Sequence, residues 1–286
     1  MIQINKPLLF YPNAVLFFLL GVAYLKFINN LIKDKNCYLT FTNTGIRITY
    51  QTRTIFEALY IDSVLEFPTD EDSEDDFLES VEIINTDDEF PFILNIHRLL
   101  HYLNLMDYRI RITYDSIHKA ICLDQLKLDS PNQEIVLYTF RVPASLEIGR
   151  NYREPQLTEC NVDFEFPPCW KIAPFVEYMG YYDKKKIMLS ANNQGIFKLS
   201  SPEDEMSMEF VNCTNHQVNS QENPRSFASV VMDRQQLLTF LQSRGPKEDP
   251  KLDDIHCKIV DDEAIIFEGE NNNIFFKYVM PLLNPY

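Results

Sequence analysis

The sequence predicts an α+β protein of two similar domains, each with two helices packed on an antiparallel sheet. Three observations predict it. The second half repeats the order of elements in the first. Each half carries a hairpin signal with a glycine at the turn, and each has a strand that runs into a short helix with a Leu-Leu pair. With 286 residues, the chain has room for two domains of about 140 residues.

The halves open on short alternating strands, Ile2-Gln3-Ile4-Asn5 and Val162-Asp163-Phe164-Glu165-Phe166. Prolines follow, at Pro7 and Pro12 and at Pro167 and Pro168. Next come helical stretches, Asn13 to Lys33 and Trp170 to Tyr182. The hairpins are Cys37 to Ile48 and Lys186 to Leu199, each with a glycine (Gly45, Gly195) able to supply a positive φ at the turn. Strand-into-helix signals follow at Phe92–Asn95 into Ile96–Met106, and at Ala228–Met232 into Asp233–Ser243. They carry Leu99-Leu100 and Leu237-Leu238. Three more strands end each half, Arg109–Tyr114, Ala120–Lys127 and Glu134–Val142, then Ile255–Val260, Ala264–Glu268 and Ile274–Met280. Each half thus reads β-α-βββ-(β)-α-βββ. The expected domains are residues 1–142 and 161–286, joined by a Pro- and polar-rich linker at 143–160. Between hairpin and second helix the first half is longer by about 12 residues. Asp70, Glu71, Asp72, Glu74, Asp75 and Asp76 fall there and are expected in an exposed loop.

Composition excludes several classes. The 42 acids and 26 bases leave a formal charge of -16, which argues against gripping nucleic acid with the whole surface. Bases gathered on one face remain compatible with it. Seven glycines and no P-loop leave no phosphate cradle. The six cysteines show no CxxC spacing and are expected reduced. The apolar run Ala14–Leu25 is too short for a bilayer, lacks a basic leader and reads as a buried helix, so no membrane partner is expected. Asn212-Cys213-Thr214 fits a glycosylation sequon that is expected to go unused. His97 and His101 share a helical face without a third ligand, so no metal is expected. The paired acids Asp87-Asp88-Glu89, Asp253-Asp254 and Asp261-Asp262-Glu263 read as solvated turn acids, and no nucleophile elbow is present. No cofactor and no catalytic residue are expected.

A two-helix, one-sheet domain leaves strand edges to be managed. Pairing them between subunits until a ring closes is one solution. The hole could hold duplex DNA if helices turn bases inward while acids dominate outside. The candidates are Lys26, Lys33, Arg98, His101, Lys171, Lys184, Arg234 and Arg244, with Arg98 and Arg234 expected at matching places. Such contacts would reach phosphate, without sequence preference.

In this order of elements the sequence resembles the PCNA-like sliding clamps, and more narrowly the Hus-type subunit of the 9-1-1 DNA-damage checkpoint clamp. The hairpin Ile187–Gly195 carries the likeness. So do Tyr138-Thr139-Phe140-Arg141-Val142-Pro143 with Arg153-Glu154-Pro155, the helix Val231–Leu241 and the strand Phe276–Pro281. The strongly apolar first helix (Phe17, Phe18, Leu19, Leu20) and the acidic insertion depart from the pattern. The resemblance implies a non-catalytic, nuclear, heterotrimeric clamp with two paralogous subunits, loaded by an ATP-driven loader and serving checkpoint and repair proteins. It implies subunit edges at Glu134, Val136, Tyr138, Phe140 and Val142 and at Met206, Met208 and Phe210. By the same resemblance, the groove beside the linker would be the counterpart of the peptide-docking site of replication clamps. Three alternatives stay open: a self-trimerising replication clamp, the Rad-one-type subunit of the same ring (Asn43–Ile48 and Phe92–Leu105 suit it), and an enzyme with an unrecognised site.

Overall fold

A computed structural model describes residues 14–32, 35–41, 45–51, 59–66, 90–106, 110–130, 133–146, 154–203, 205–216, 227–243, 254–271 and 274–283. The expected strand Ile2–Asn5, the acidic run Asp70–Asp76, Asp87-Asp88-Glu89, Asp253, Arg153, Lys33 and Arg244 lie outside these residues, as does the side chain of Glu134. The chain divides into two compact units, Met1–Thr49 with Val64–Asn151, and Tyr50–Ser63 with Tyr152–Tyr286.

The first unit begins with α1 (Ala14–Leu31). Tyr24, Phe27, Ile28 and Leu31 are buried at helical spacing, while Lys26 and Asn30 stay outside. Strands β1 (Asn36–Phe41) and β2 (Gly45–Gln51) follow, then β3 (Tyr60–Glu66), whose residues up to Ser63 count with the second unit, and β4 (Phe90–Asn95). Helix α2 (Ile96–Leu103) starts where Asn95 Oδ1 accepts the Arg98 N–H at 3.0 Å, an N-cap that ends the strand and satisfies a free helix donor. It buries Ile96, Leu99, Leu100 and Leu103. Strands β5 (Ile110–Asp115), β6 (Ala120–Ser130) and β7 (Gln133–Leu146) complete the unit. Their antiparallel order is β2-β1-β4-β7-β6-β5.

Two expectations need correction here. Gly45 does not supply a positive φ; among the described glycines only Gly195 does. Gly45 opens β2, and a Cβ there would lie 2.3 Å from the Leu65 carbonyl oxygen, so close backbone approach requires it. Strand β7 also runs past the expected boundary at 142. Pro143 continues the ladder opposite Ala120, and Ala144 pairs with Leu94.

The second unit contains β8 (Val162–Glu165), α3 (Cys169–Tyr181), β9 (Lys186–Ala191), β10 (Phe197–Ser200), β11 (Ser207–Phe210) and β12 (Asn215–His216). β13 (Ala228–Asp233), α4 (Arg234–Ser243), β14 (Asp254–Val260), β15 (Ala264–Asn271) and β16 (Ile274–Pro281) follow. Two antiparallel arrays result, β12-β8-β14-β15-β16 and β11-β10-β9-β13. The β9–β10 hairpin turns at Gly195, with φ +79°. Buried Asn192 organises it, its Oδ1 accepting the N–H groups of Gln194 and Ile196 at 3.0 and 3.1 Å. Asp233 caps α4 as Asn95 caps α2, accepting the Gln236 N–H at 2.9 Å. The core is aromatic. Phe240 stacks on Phe267 and Tyr278 at 4.2 and 5.3 Å, and Phe166 meets Phe267 edge-on at 4.9 Å. The six cysteines are free thiols. Among the described residues no helix is long and apolar enough to cross a membrane.

Candidate nucleic-acid interface and open strand edges

The helices share one property that their packing does not demand. They are 18, 8, 13 and 10 residues long, and Glu177 is the only acid among them. The chain holds 42 acids in 286 residues. An even spread would put about seven in the helices. Their bases are Lys26, Arg98, Lys171 and Arg234, joined by His97 and His101.

The expected phosphate-facing residues divide in two. Lys26, Arg98, His101 and Lys171 are exposed. Lys171 holds its ammonium 5.3 Å from the centre of the Trp170 ring. Lys184 and Arg234 are otherwise engaged. Lys184 donates to Glu205 at 2.7 Å and to Glu203 at 3.3 Å. The Glu205 hydrogen bond raises its pKa above the ordinary lysine value, burial opposes, and Glu203 adds to the rise. Arg234 Nε donates to the Lys184 carbonyl at 2.9 Å, and a second guanidinium nitrogen donates to the Val176 carbonyl at 3.2 Å. The guanidinium lies against Gly180, where a Cβ would come within 2.9 Å. Arg234 therefore ties the start of α4 to the end of α3. Nor does it match Arg98. The two caps and the two Leu-Leu pairs align Arg98 with buried Gln236, and His101 with Thr239.

Among the described residues both expected interface strands lie at edges. Along Gln133–Pro143, β7 pairs with β6 on one side; pairing with β4 begins only at Ala144. A register shift opposite Gln125 and Leu126 leaves Leu137 without a partner in that ladder. Val136, Leu137 and Tyr138 are 46, 50 and 41% exposed. Phe140 stacks on Tyr102 at 4.7 Å and is half-buried, and Tyr138 Oη donates to the Leu105 carbonyl at 3.3 Å. The side chain of Val142 is fully buried, so it belongs to the unit's core and not to an outer face. In the second unit β11 pairs, among the described residues, only with β10. Met206, Met208 and Phe210 are half-buried, with Phe210 stacked on Phe197 at 6.0 Å.

Linker residues lie on the second unit's own sheet. Leu157 packs against Tyr60, Val260, Ala264, Ile266 and Val279. Lys277 reaches Glu154 at 2.5 Å, and Glu263 accepts the Thr158 N–H and hydroxyl at 3.1 and 2.9 Å. Asp261 accepts the Ser229 N–H at 2.6 Å. These acids hold loops and the linker in place. Among the described residues no three His, Cys, Asp or Glu side chains gather as a metal site.

Sequence reasoning missed the outer face of α3. Trp170, Tyr178, Tyr181 and Tyr182 are exposed there, and the Tyr178 and Tyr182 hydroxyls share a hydrogen bond of 2.7 Å. That bond raises the Tyr178 pKa above the ordinary tyrosine value. The available signal was aromatic residues at helical spacing on the side opposite the aliphatic ones.

This architecture is the PCNA-like DNA-clamp fold, α+β with two helices and antiparallel strands in each half. Its solved neighbours include the PCNA2–PCNA3 complex of Sulfolobus tokodaii, at TM-score 0.61 and 12% identity over 98% of this chain and 100% of that one. Proliferating cellular nuclear antigen of Entamoeba histolytica matches at TM-score 0.62 and 11% identity, over 96% and 98%. PCNA of Thermococcus kodakaraensis matches at 0.61 and 12%, over 96% and 99%. No protein-family model and no curated protein sequence matches the chain.

Proposed function

We propose that the chain is a non-catalytic subunit of a heterotrimeric sliding clamp that encircles duplex DNA at damage sites. The observation that carries this reading is the near-absence of acids from the helices, Glu177 alone excepted, in a strongly acidic protein. Helix faces cleared of negative charge suit a polyanion held without sequence readout. The bases present are few, so this subunit contributes more scaffold than phosphate contact.

The fold supports a clamp, and the two open edges support assembly by strand addition. The heteromeric form is favoured by the mismatch of those edges. β7 is open along Gln133–Pro143, whereas β11 spans only Ser207–Phe210. A paralogous partner with a longer edge strand would match β7 better than a second copy. One neighbour is itself described as a complex of two PCNA chains, PCNA2 and PCNA3. The checkpoint form rests on the sequence stretches that resemble the Hus-type subunit. Loading by an ATP-driven loader, service to repair and checkpoint proteins and residence in the nucleus belong to the same reading.

The test is co-expression with two paralogous clamp chains, followed by mass measurement and retention on DNA. The reading expects a 1:1:1 assembly that stays on closed circular DNA and slides off when the circle is cut. A homotrimer from the single chain would instead support a replication clamp. A chain that stays monomeric with every partner, or an assembly indifferent to cutting, would sink the proposal.

A further inference from the structure

Helix α3 leaves a stripe of rings in solvent. Trp170, Tyr178 and Tyr181, with Tyr182 just after the helix, are 66, 48, 81 and 55% exposed. At helical spacing they share an arc of about 140° with Lys171, Pro174 and Glu177. Cys169, Ile172, Val176 and Met179 are buried on the other side. A contiguous aromatic patch of this kind marks a binding surface.

Three features select the occupant. Ile172, Val176 and Met179 are on the buried side of α3, so apart from Pro174 the outer face offers π surfaces, which suit stacking on bases. Lys171 sets a cation over one face of the Trp170 ring, 5.3 Å from its centre, within reach of the phosphate of a base stacked on the neighbouring rings. Acid is scarce as well. Glu177 is the only one on α3, and α4, packed against it, has none and presents Gln235, Thr239 and Gln242. A duplex hides its base faces; only unpaired nucleotides offer them. The exposed patch on β7 differs, being mainly aliphatic and set on an edge that no second described strand covers, which suits another protein strand.

We infer that the outer face of α3 is a stacking platform for unpaired bases, giving the chain a preference for single-stranded over duplex DNA. The inference rests on the clamp reading only in taking DNA as what reaches the helices. With the stripe nearly neutral, stacking supplies the affinity, and the salt dependence is shallow.

Trp170 is the only tryptophan, so its emission reports occupancy directly. The full chain is titrated with an oligothymidine of about 20 nucleotides and with a duplex of equal length, reading Trp170 emission and the anisotropy of labelled DNA. The expected result is quenching by the single strand, with the duplex bound at least about fivefold more weakly. Replacing Tyr178 and Tyr181 by Ala weakens single-strand binding by about tenfold or more, while Tyr→Phe at both positions preserves it. Tyr181→Ala alone, at the most exposed ring, keeps the test valid should the double variant lose its fold. Equal affinity for both DNAs, absence of quenching, or an Ala variant that binds normally would overturn the inference. So would shielding of Trp170 from iodide on assembly with partner subunits without DNA, which would make the stripe a protein interface. Single-strand quenching without ring retention would sink the clamp reading alone. Ring retention without single-strand preference would sink this inference alone.

Discussion

Helix α2 of the first unit and helix α3 of the second bury the same kind of face and leave different ones outside. Each puts apolar residues into its own core at helical spacing. Outside, α2 presents His97, Arg98 and His101, whereas α3 presents Trp170, Tyr178 and Tyr181 with one lysine. Folding constrains the buried side of each helix. The two are not equivalent positions of the repeat, and the outer side is free to follow whatever it meets. The lesson extends to the arginines. Arg98 stands in solvent on α2, while Arg234 is drawn into the joint between α3 and α4.

The largest expected effect breaks that comparison of arginines. Arg234→Ala removes two hydrogen bonds from a charged group, one to the Lys184 carbonyl and one to the Val176 carbonyl of α3. A loss of about 2–3 kcal/mol in urea unfolding is expected, against a change within about 0.5 kcal/mol for Arg98→Ala. Equal losses would mean that Arg234 is as free as Arg98. The caps come next, as the point where the halves agree. Asn95→Ala and Asp233→Ala should each cost about 1 kcal/mol, and a difference between them would show how much the two helix starts have diverged.

A smaller effect depends on pH and belongs to the second unit. Burial acts to raise the Glu268 pKa, but the Lys258 hydrogen bond and the charges of Lys258 and Lys277 outweigh it and hold it below the ordinary glutamate value. Lys258 lies 2.6 Å and Lys277 3.3 Å from its oxygens. A carboxyl depressed in the folded state stabilises fully above its unfolded pKa, and the contribution vanishes as pH falls through the folded value. Wild type should therefore lose part of its urea midpoint between neutral pH and the low carboxylate range, with Glu268→Gln losing less. Parallel profiles would exclude the Glu268 ion pairs with Lys258 and Lys277 as the cause. The smallest effect is on DNA. If Arg98 meets a phosphate, Arg98→Ala lowers the salt slope of binding by about 1, with little change in stability.

Element positions were legible because hydrophobic period and turn chemistry are local. The two hairpins, the two strand-to-helix junctions and the terminal strands stand close to where the sequence put them. The errors came from information that is not local. A glycine signals a backbone need without saying which. Gly195 serves a turn, but Gly45 serves the approach of Leu65, a strand away. Arg234 shows that a base beside a helix start can be claimed by carbonyls of another helix. Pro143 looked like a linker residue, yet it stays in β7, whose β4 pairing begins with the next residue. The α3 stripe was overlooked because apolar residues on a helix are read first as core.

The open edge of β7 has a consequence for the unassembled chain. Among the described residues no second strand covers the backbone along Ile135, Val136, Leu137 and Tyr138, a template for any extended segment that collides with it. The free chain should therefore carry a solubility limit that its assembled form lacks. Its usable lifetime in the cell would then be set by how soon a strand arrives to cover that edge, tying its abundance to the supply of partners.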